Sequence, residues 1–146
     1  MSASILLVDD DPLLVRMIGA MLGDLGRVRF ATGGAAALQL MAQETPDLVL
    51  LDAEMPGMGG LEVCAAIRAD PGYAGVPVLF VSAHGDEEFA RRCLGAGAAD
   101  LIHKPVCAAL LQARVATHLR LKQALDTIRR MDRASASGYA ESGRRP

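Results

Sequence analysis

A chain of 146 residues that is 51% hydrophobic has the length of one domain and ample apolar material for its core. Aromatic residues contribute only 3% and Trp is absent, so that core is aliphatic and alanine-rich. With 22% charged residues and a formal net charge of −2, the composition excludes a disordered chain, a disulfide miniprotein and a strongly basic nucleic-acid binder.

Short apolar runs alternate with longer amphipathic stretches. Ile5, Leu6, Leu7 and Val8 form a continuous apolar run, the mark of a strand covered on both faces. Residues 12–25 carry apolar side chains at Leu14, Met17, Ile18, Met21 and Leu22, spacings of three and four that predict a helix. Asp11 stands at its N-cap and Pro12 at its first position, and Gly26 stops it. Residues 28–31 predict a second strand and residues 34–44 a second helix, ended ahead of Pro46. Residues 48–51 are a third buried strand running into Asp52. A Met-Pro-Gly-Met-Gly-Gly loop leads to a helix over 61–69, closed by Asp70, Pro71 and Gly72. Residues 76–81 predict the fourth strand. Asp86, Glu87 and Glu88 open a helix with acids in its first turn, where the helix dipole favours them, and Gly95 and Gly97 end it. Residues 100–103 make a short fifth strand. The last helix begins after Pro105 and runs to Met131, and the small, polar residues 135–146 read as a disordered tail.

Five β-α units predict an α/β fold: a five-stranded parallel sheet, doubly wound, with an extended C-terminal helix. Such sheets place their chemistry beyond the C-terminal ends of the strands. There, strand 1 ends in Asp9 and Asp10, strand 3 in Asp52, strand 4 in Ser82 and strand 5 in Lys104. Strand 2 ends in Ala31, Thr32 and Gly33 and offers much less. Carboxylates on neighbouring strands about 5 Å apart repel by a few kcal/mol at intermediate dielectric, so the site calls for a cation. Oxygen-only ligands without a nearby His point to Mg²⁺ or Mn²⁺. Adding a hydroxyl and an ammonium gives a carboxylate nucleophile and two donors for a tetrahedral anion, a set suited to accepting a phosphoryl group.

Over residues 4 to about 122 the chain resembles the receiver domains of two-component response regulators. The likeness rests on residues 5–12, residues 46–58, residues 76–83 and the triplet His103, Lys104, Pro105, in that order and spacing. It implies the flavodoxin-like strand order 2-1-3-4-5, which puts the bare strand 2 at the edge. It further implies that Asp52 accepts phosphate from a phosphohistidine on a histidine kinase or phosphotransfer protein. Asp10 binds the metal directly, Asp9 helps through water, and the Glu54 backbone carbonyl is a further ligand. Ser82 and Lys104 hold phosphoryl oxygens, and the Lys104–Pro105 bond is cis. Glu54 and His84, each two residues past a site residue, are expected to tune the phosphate's lifetime. On this reading the protein catalyses only its own phosphorylation and dephosphorylation. Leu101 stands in the switch region where many receivers carry Tyr or Phe, and Gly59 where Asp is common.

Simpler roles suffice elsewhere. Asp11 is a helix cap; His84, His103 and His118 lack metal-ligand spacing; Gly95 and Gly97 stop a helix. Cys64, Cys93 and Cys107 are odd in number with no C-x-x-C, suggesting neither disulfides nor a zinc site. Without a basic n-region or a span-length apolar run, the expected setting is soluble and cytoplasmic. Neither nucleic acid nor membrane is expected as a direct partner. Two other functions compete. A haloacid-dehalogenase-type phosphohydrolase would use Asp9 in an Asp9-x-Asp11 pair, but only Asp126 and Asp132 remain to supply its later acidic pair. A flavodoxin-like cofactor binder would face acids in its first loop and lacks aromatics to stack a flavin.

The charge is unevenly spread. Residues 1–113 carry 7 Lys/Arg against 14 Asp/Glu, a net −7, and residues 114–146 carry 8 against 3, a net +5. The acidic body and the basic C-terminal stretch are expected to do different jobs. The resemblance implies a receiver over residues 1–122, leaving 123–134 as a helical extension or linker and 135–146 as the tail. Val115, His118, Leu121, Leu125 and Ile128 trace an imperfect a/d seam. The expectation is a dimerising stalk or a lead into an output domain, with a homodimer through the fourth and fifth helices as a further possibility.

Overall fold

The computed structural model describes the backbone of residues 3–143 and the side chains of residues 3–135. Five strands, β1 (Ala3–Val8), β2 (Gly26–Ala31), β3 (Leu48–Asp52), β4 (Val78–Ser82) and β5 (Asp100–His103), form one parallel sheet in the order β2-β1-β3-β4-β5. The helices are α1 (Pro12–Leu22), α2 (Gly34–Gln43), α3 (Gly60–Ala69), α4 (Glu87–Gly95) and α5 (Ala108–Gly143), with a 3₁₀ turn at Pro71–Tyr73. This is the flavodoxin-like, doubly wound arrangement expected from the sequence.

Period-two alternation divides each buried strand between two cores. Leu6, Val8, Val49, Leu51, Val78 and Phe80 face α2, α3 and α4, where Met41, Val63, Ile67 and Cys93 meet them. Ile5, Leu7, Leu48, Leu50, Leu79, Val81 and Ile102 face α1 and α5, against Val15, Ile18, Leu22, Leu111, Val115 and Leu119. The helix starts follow their capping chemistry. Asp11 accepts the Leu13 amide at 2.9 Å ahead of Pro12, and Asp86 accepts the Phe89 amide at 2.7 Å.

Several boundaries differ from the sequence reading by two residues or more. Helix α1 ends at Leu22 with Gly23 as its C-cap, instead of at residue 25 ahead of Gly26. β2 starts at Gly26, two residues earlier, because it pairs with β1 from Ala3 onward; a Cβ on Gly26 would lie 2.5 Å from the Ala3 carbonyl oxygen. β4 starts at Val78, two residues later, because Pro77 has no N–H to give the ladder, although its carbonyl accepts the Val49 amide at 3.0 Å. The backbone of α5 runs past Met131 to Gly143, helical where composition suggests an irregular tail. No proline intervenes before Pro146, and Gly138 alone costs only about 1 kcal/mol against Ala. Residues 144–146 of the expected tail lie outside the described residues.

Basic side chains fasten α5 to the sheet. Arg114 and His118 both reach Asp100, at 2.7 and 3.1 Å, and Lys122 lies 3.7 Å from Asp47. Among the described residues Leu119 is the last that α5 gives to the core, and Leu121, Leu125, Ile128 and Met131 beyond it are exposed.

Candidate functional site

The register of the sheet assembles the site. Val8 pairs with Leu51, so Asp9 and Asp52 emerge side by side at the C-terminal ends of β1 and β3. Carboxylate oxygens of Asp9, Asp10 and Asp52 lie within 4.8 Å of one another. Asp9 and Asp52 are 2% and 3% exposed, and Asp10 is open to solvent. The Asp11 amide donates to Asp9 Oδ1 at 2.9 Å. Asp52 Oδ1 accepts both the Lys104 ammonium at 3.2 Å and the Glu54 amide at 3.1 Å. The Lys104 amide donates to the Ser82 carbonyl at 2.8 Å, and the Lys104–Pro105 peptide is cis.

Burial pushes the Asp52 carboxyl up to about 6; the neighbouring Asp9 charge adds to this, and the Glu54 amide and Lys104 only partly oppose it. Burial likewise raises Asp9, against the Asp11 amide and Lys104. A single ammonium therefore falls short of neutralising the cluster. Three clustered carboxylates, two of them buried, are a hard-oxygen donor set that fits a small divalent cation.

Ser82, fully buried at the end of β4, completes the rim. Its hydroxyl donates to the Glu54 carboxylate and accepts the His84 amide at 2.9 Å. His84 Nε2 lies 3.7 Å from Glu54, and its ring packs against Phe89 at 5.4 Å between centroids. The sequence-predicted residues Asp9, Asp10, Asp52, Ser82, Lys104, Glu54 and His84 thus share one rim. Leu101 does not reach it with a polar group: it is half-buried on β5 and packed against the core. His103 is exposed and His118 is spent on Asp100, so the three histidines do not converge.

Gly60 is a contributor the sequence reading missed. A Cβ there would lie 2.5 Å from the Asp52 carbonyl oxygen and 2.8 Å from Ala53 Cα. The first turn of α3 is therefore pressed against the backbone that carries Asp52. The Gly59-Gly60 pair was the available signal, read only as a turn. Asp100, which anchors α5, left no comparable signal, because its role depends on which face of β5 it occupies.

The phosphohydrolase alternative finds no support. Asp11 is occupied as the cap of α1, and Asp126 is paired with Lys122 on α5.

A family model described as the response regulator receiver domain matches residues 5–116. The chain is 38% identical over 125 residues to the Vibrio cholerae protein named "Probable cyclic di-GMP phosphodiesterase", covering 86% of this chain and 28% of that one. It is 40% identical over 121 residues to the DNA-binding response regulator MtrA of Mycolicibacterium smegmatis, covering 82% and 52%. The chain thus spans about a quarter and about half of these relatives' lengths. The crystal structure of the Vibrio cholerae chemotaxis protein CheY4 superposes with a TM-score of 0.75 at 28% identity, covering 79% of this chain and 97% of that one. Strand order, acid rim and sequence likeness agree: the chain belongs to the receiver domains of two-component response regulators.

Proposed function

We propose that Asp52 is the phospho-acceptor of this receiver and that its modification switches the surface formed by α4, β5 and α5. The observation that carries the reading is the convergence of Asp52 with Asp9, Asp10 and Lys104 at one strand rim. Lys104 holds Asp52 Oδ1, so the other carboxylate oxygen attacks phosphorus. The P–N bond of a donor phosphohistidine breaks as the P–O bond to Asp52 forms, and the imidazole leaves. Lys104 and the Ser82 hydroxyl then hold two phosphoryl oxygens, and attack by water returns the carboxylate and inorganic phosphate. Asp10, Asp52 and the Glu54 carbonyl would hold Mg²⁺ or Mn²⁺ directly, with Asp9 behind a water. When bound, the cation supplies the neutralising charge that Lys104 alone does not. Glu54 and His84 border the approach to the acyl phosphate and tune its lifetime.

The donor is a histidine kinase or histidine phosphotransfer protein in the cytoplasm. Of the relatives compared, one is named for an enzymatic activity and one for DNA binding, so this receiver type serves more than one output. An output domain following α5, or a homodimer through α4 and α5, would read the switch. Among the described residues no helix is long and apolar enough to cross a membrane.

Incubation with acetyl phosphate and Mg²⁺, followed by intact-mass measurement, tests the assignment. The wild type gains one phosphoryl group and Asp52→Asn gains none; equal gain by both would refute it.

A further inference from the structure

We infer that Glu54 is a positioning residue that holds Ser82 in a resting orientation and competes with the phosphoryl group for the single Ser82 proton. The inference rests on Asp52 being the acceptor, and it assigns the Glu54 side chain a specific task at that site. A carboxylate offers only acceptors, so the proton between Ser82 Oγ and Glu54 belongs to Ser82. The His84 amide, 2.9 Å away, occupies the same oxygen as a donor. Ser82 is fully buried, so water does not supply another partner. A hydroxyl has one hydrogen: while it points at Glu54 it cannot point at a phosphoryl oxygen on Asp52.

Glu54 also has somewhere to go. Glu54 lines a solvent-open cleft of about 330 Å³ shared with His84, Phe89 and Arg92 and with the acids Asp86 and Glu88. A new dianion on Asp52 repels the Glu54 carboxylate toward the open side of the cleft, where the Arg92 charge offsets those of Asp86 and Glu88. The Ser82 hydroxyl is thus a two-position element, held by Glu54 at rest and by phosphate after transfer. With Leu101 unable to form a hydrogen bond through its side chain, this exchange links the site to the head of α4, where His84 rests on Phe89.

Two measurements test the assignment. In the first, phosphorylated fractions of wild type, Glu54→Ala, Glu54→Gln, Ser82→Ala and the double variant Glu54→Ala/Ser82→Ala are compared at steady state with acetyl phosphate and Mg²⁺. Losing a hydrogen bond to a charged, partly exposed acceptor raises the ratio of phosphorylated to free protein by roughly five- to tenfold in Glu54→Ala. Glu54→Gln, which keeps an acceptor oxygen, falls between. In the Ser82→Ala background the effect of Glu54→Ala shrinks severalfold, to what relief of charge repulsion alone contributes. An undiminished Glu54 effect without Ser82 would mean simple charge repulsion and overturn the inference, as would equal ratios in wild type and Glu54→Ala. The second measurement needs no phosphate. In metal-free Glu54→Ala the Ser82 side chain is free to leave the rotamer in which its Oγ accepts the His84 amide. That amide therefore exchanges with solvent roughly threefold faster or more; an unchanged rate overturns the inference. No mass gain in the wild type would count against the aspartyl-phosphate reading, and the amide rate would still decide the role of Glu54.

Discussion

At Asp52 the native fold holds a carboxyl group that resists ionisation. An aspartate titrates near 3.8 in the unfolded chain, and burial carries Asp52 to about 6 in the fold. The folded state binds that proton more tightly, so this group leaves stability intact below about pH 4. Its cost grows through the interval up to about 6 and is complete above it, on the order of 3 kcal/mol. Metal-free Asp52→Asn, which keeps an acceptor oxygen for Lys104 and the Glu54 amide, should therefore exceed the wild type in stability at pH 7 by about 1–3 kcal/mol. The advantage should vanish near pH 4, and chemical denaturation in the presence of a chelator reads both. Millimolar Mg²⁺ should shrink it at pH 7 by stabilising the wild type. The identities of these residues were legible because each closes an apolar run; a charged residue ending a buried strand has few places to go but the rim. The Ser82–Glu54 hydrogen bond was not legible. It depends on rotamers at residues 28 positions apart, and spacing only made them neighbours of the site.

Among the elements, α3 bears most directly on the chemistry. Gly60 lets its first turn approach the Asp52–Ala53 backbone closer than any side chain permits. Gly60→Ala must push helix and strand apart, costing about 3 kcal/mol. Thermal denaturation should show the loss, and phosphate uptake at Asp52 should fall with it as the carboxylate shifts. The cap of α1 could be read from Asp11 because N-capping is local, needing only the next few residues, whereas Asp86, read as a first-turn acid, is itself the cap of α4. Strand beginnings could not be read as well. Where β2 and β4 start depends on the partner strand and, at Pro77, on a missing amide, and neither is a property of an isolated apolar run.

Across the whole molecule, the excess of positive charge after residue 113 has an internal use. Arg114, His118 and Lys122, spaced by four, reach Asp100 and Asp47 at the end of the sheet opposite the acid rim. The charge asymmetry read from the sequence as a division of labour is thus in part an attachment of α5 to the body. Asp47 does double duty, since its Oδ2 also accepts the Ser4 amide at 2.8 Å, tying the start of β1 to that of β3. Asp47→Ala should cost about 1–2 kcal/mol and speed Ser4 amide exchange. Phosphate uptake at Asp52 should stay near the wild-type level, as an intact-mass assay would report. The layered architecture was legible from β-α alternation, whereas the fastening of α5 required knowing which side of the sheet each acid occupies.

The position of β2 at the margin of the sheet carries a consequence for solubility. A marginal strand presents unpaired amides and carbonyls to which a foreign strand can add. Here Arg27 pairs with Glu44, and Arg29 reaches the Leu40 and Glu44 carbonyls, so two guanidinium groups bridge β2 to the end of α2. An incoming chain meets the Arg29 guanidinium and the Arg27–Glu44 ion pair along this border, an arrangement that disfavours addition of a foreign strand to β2.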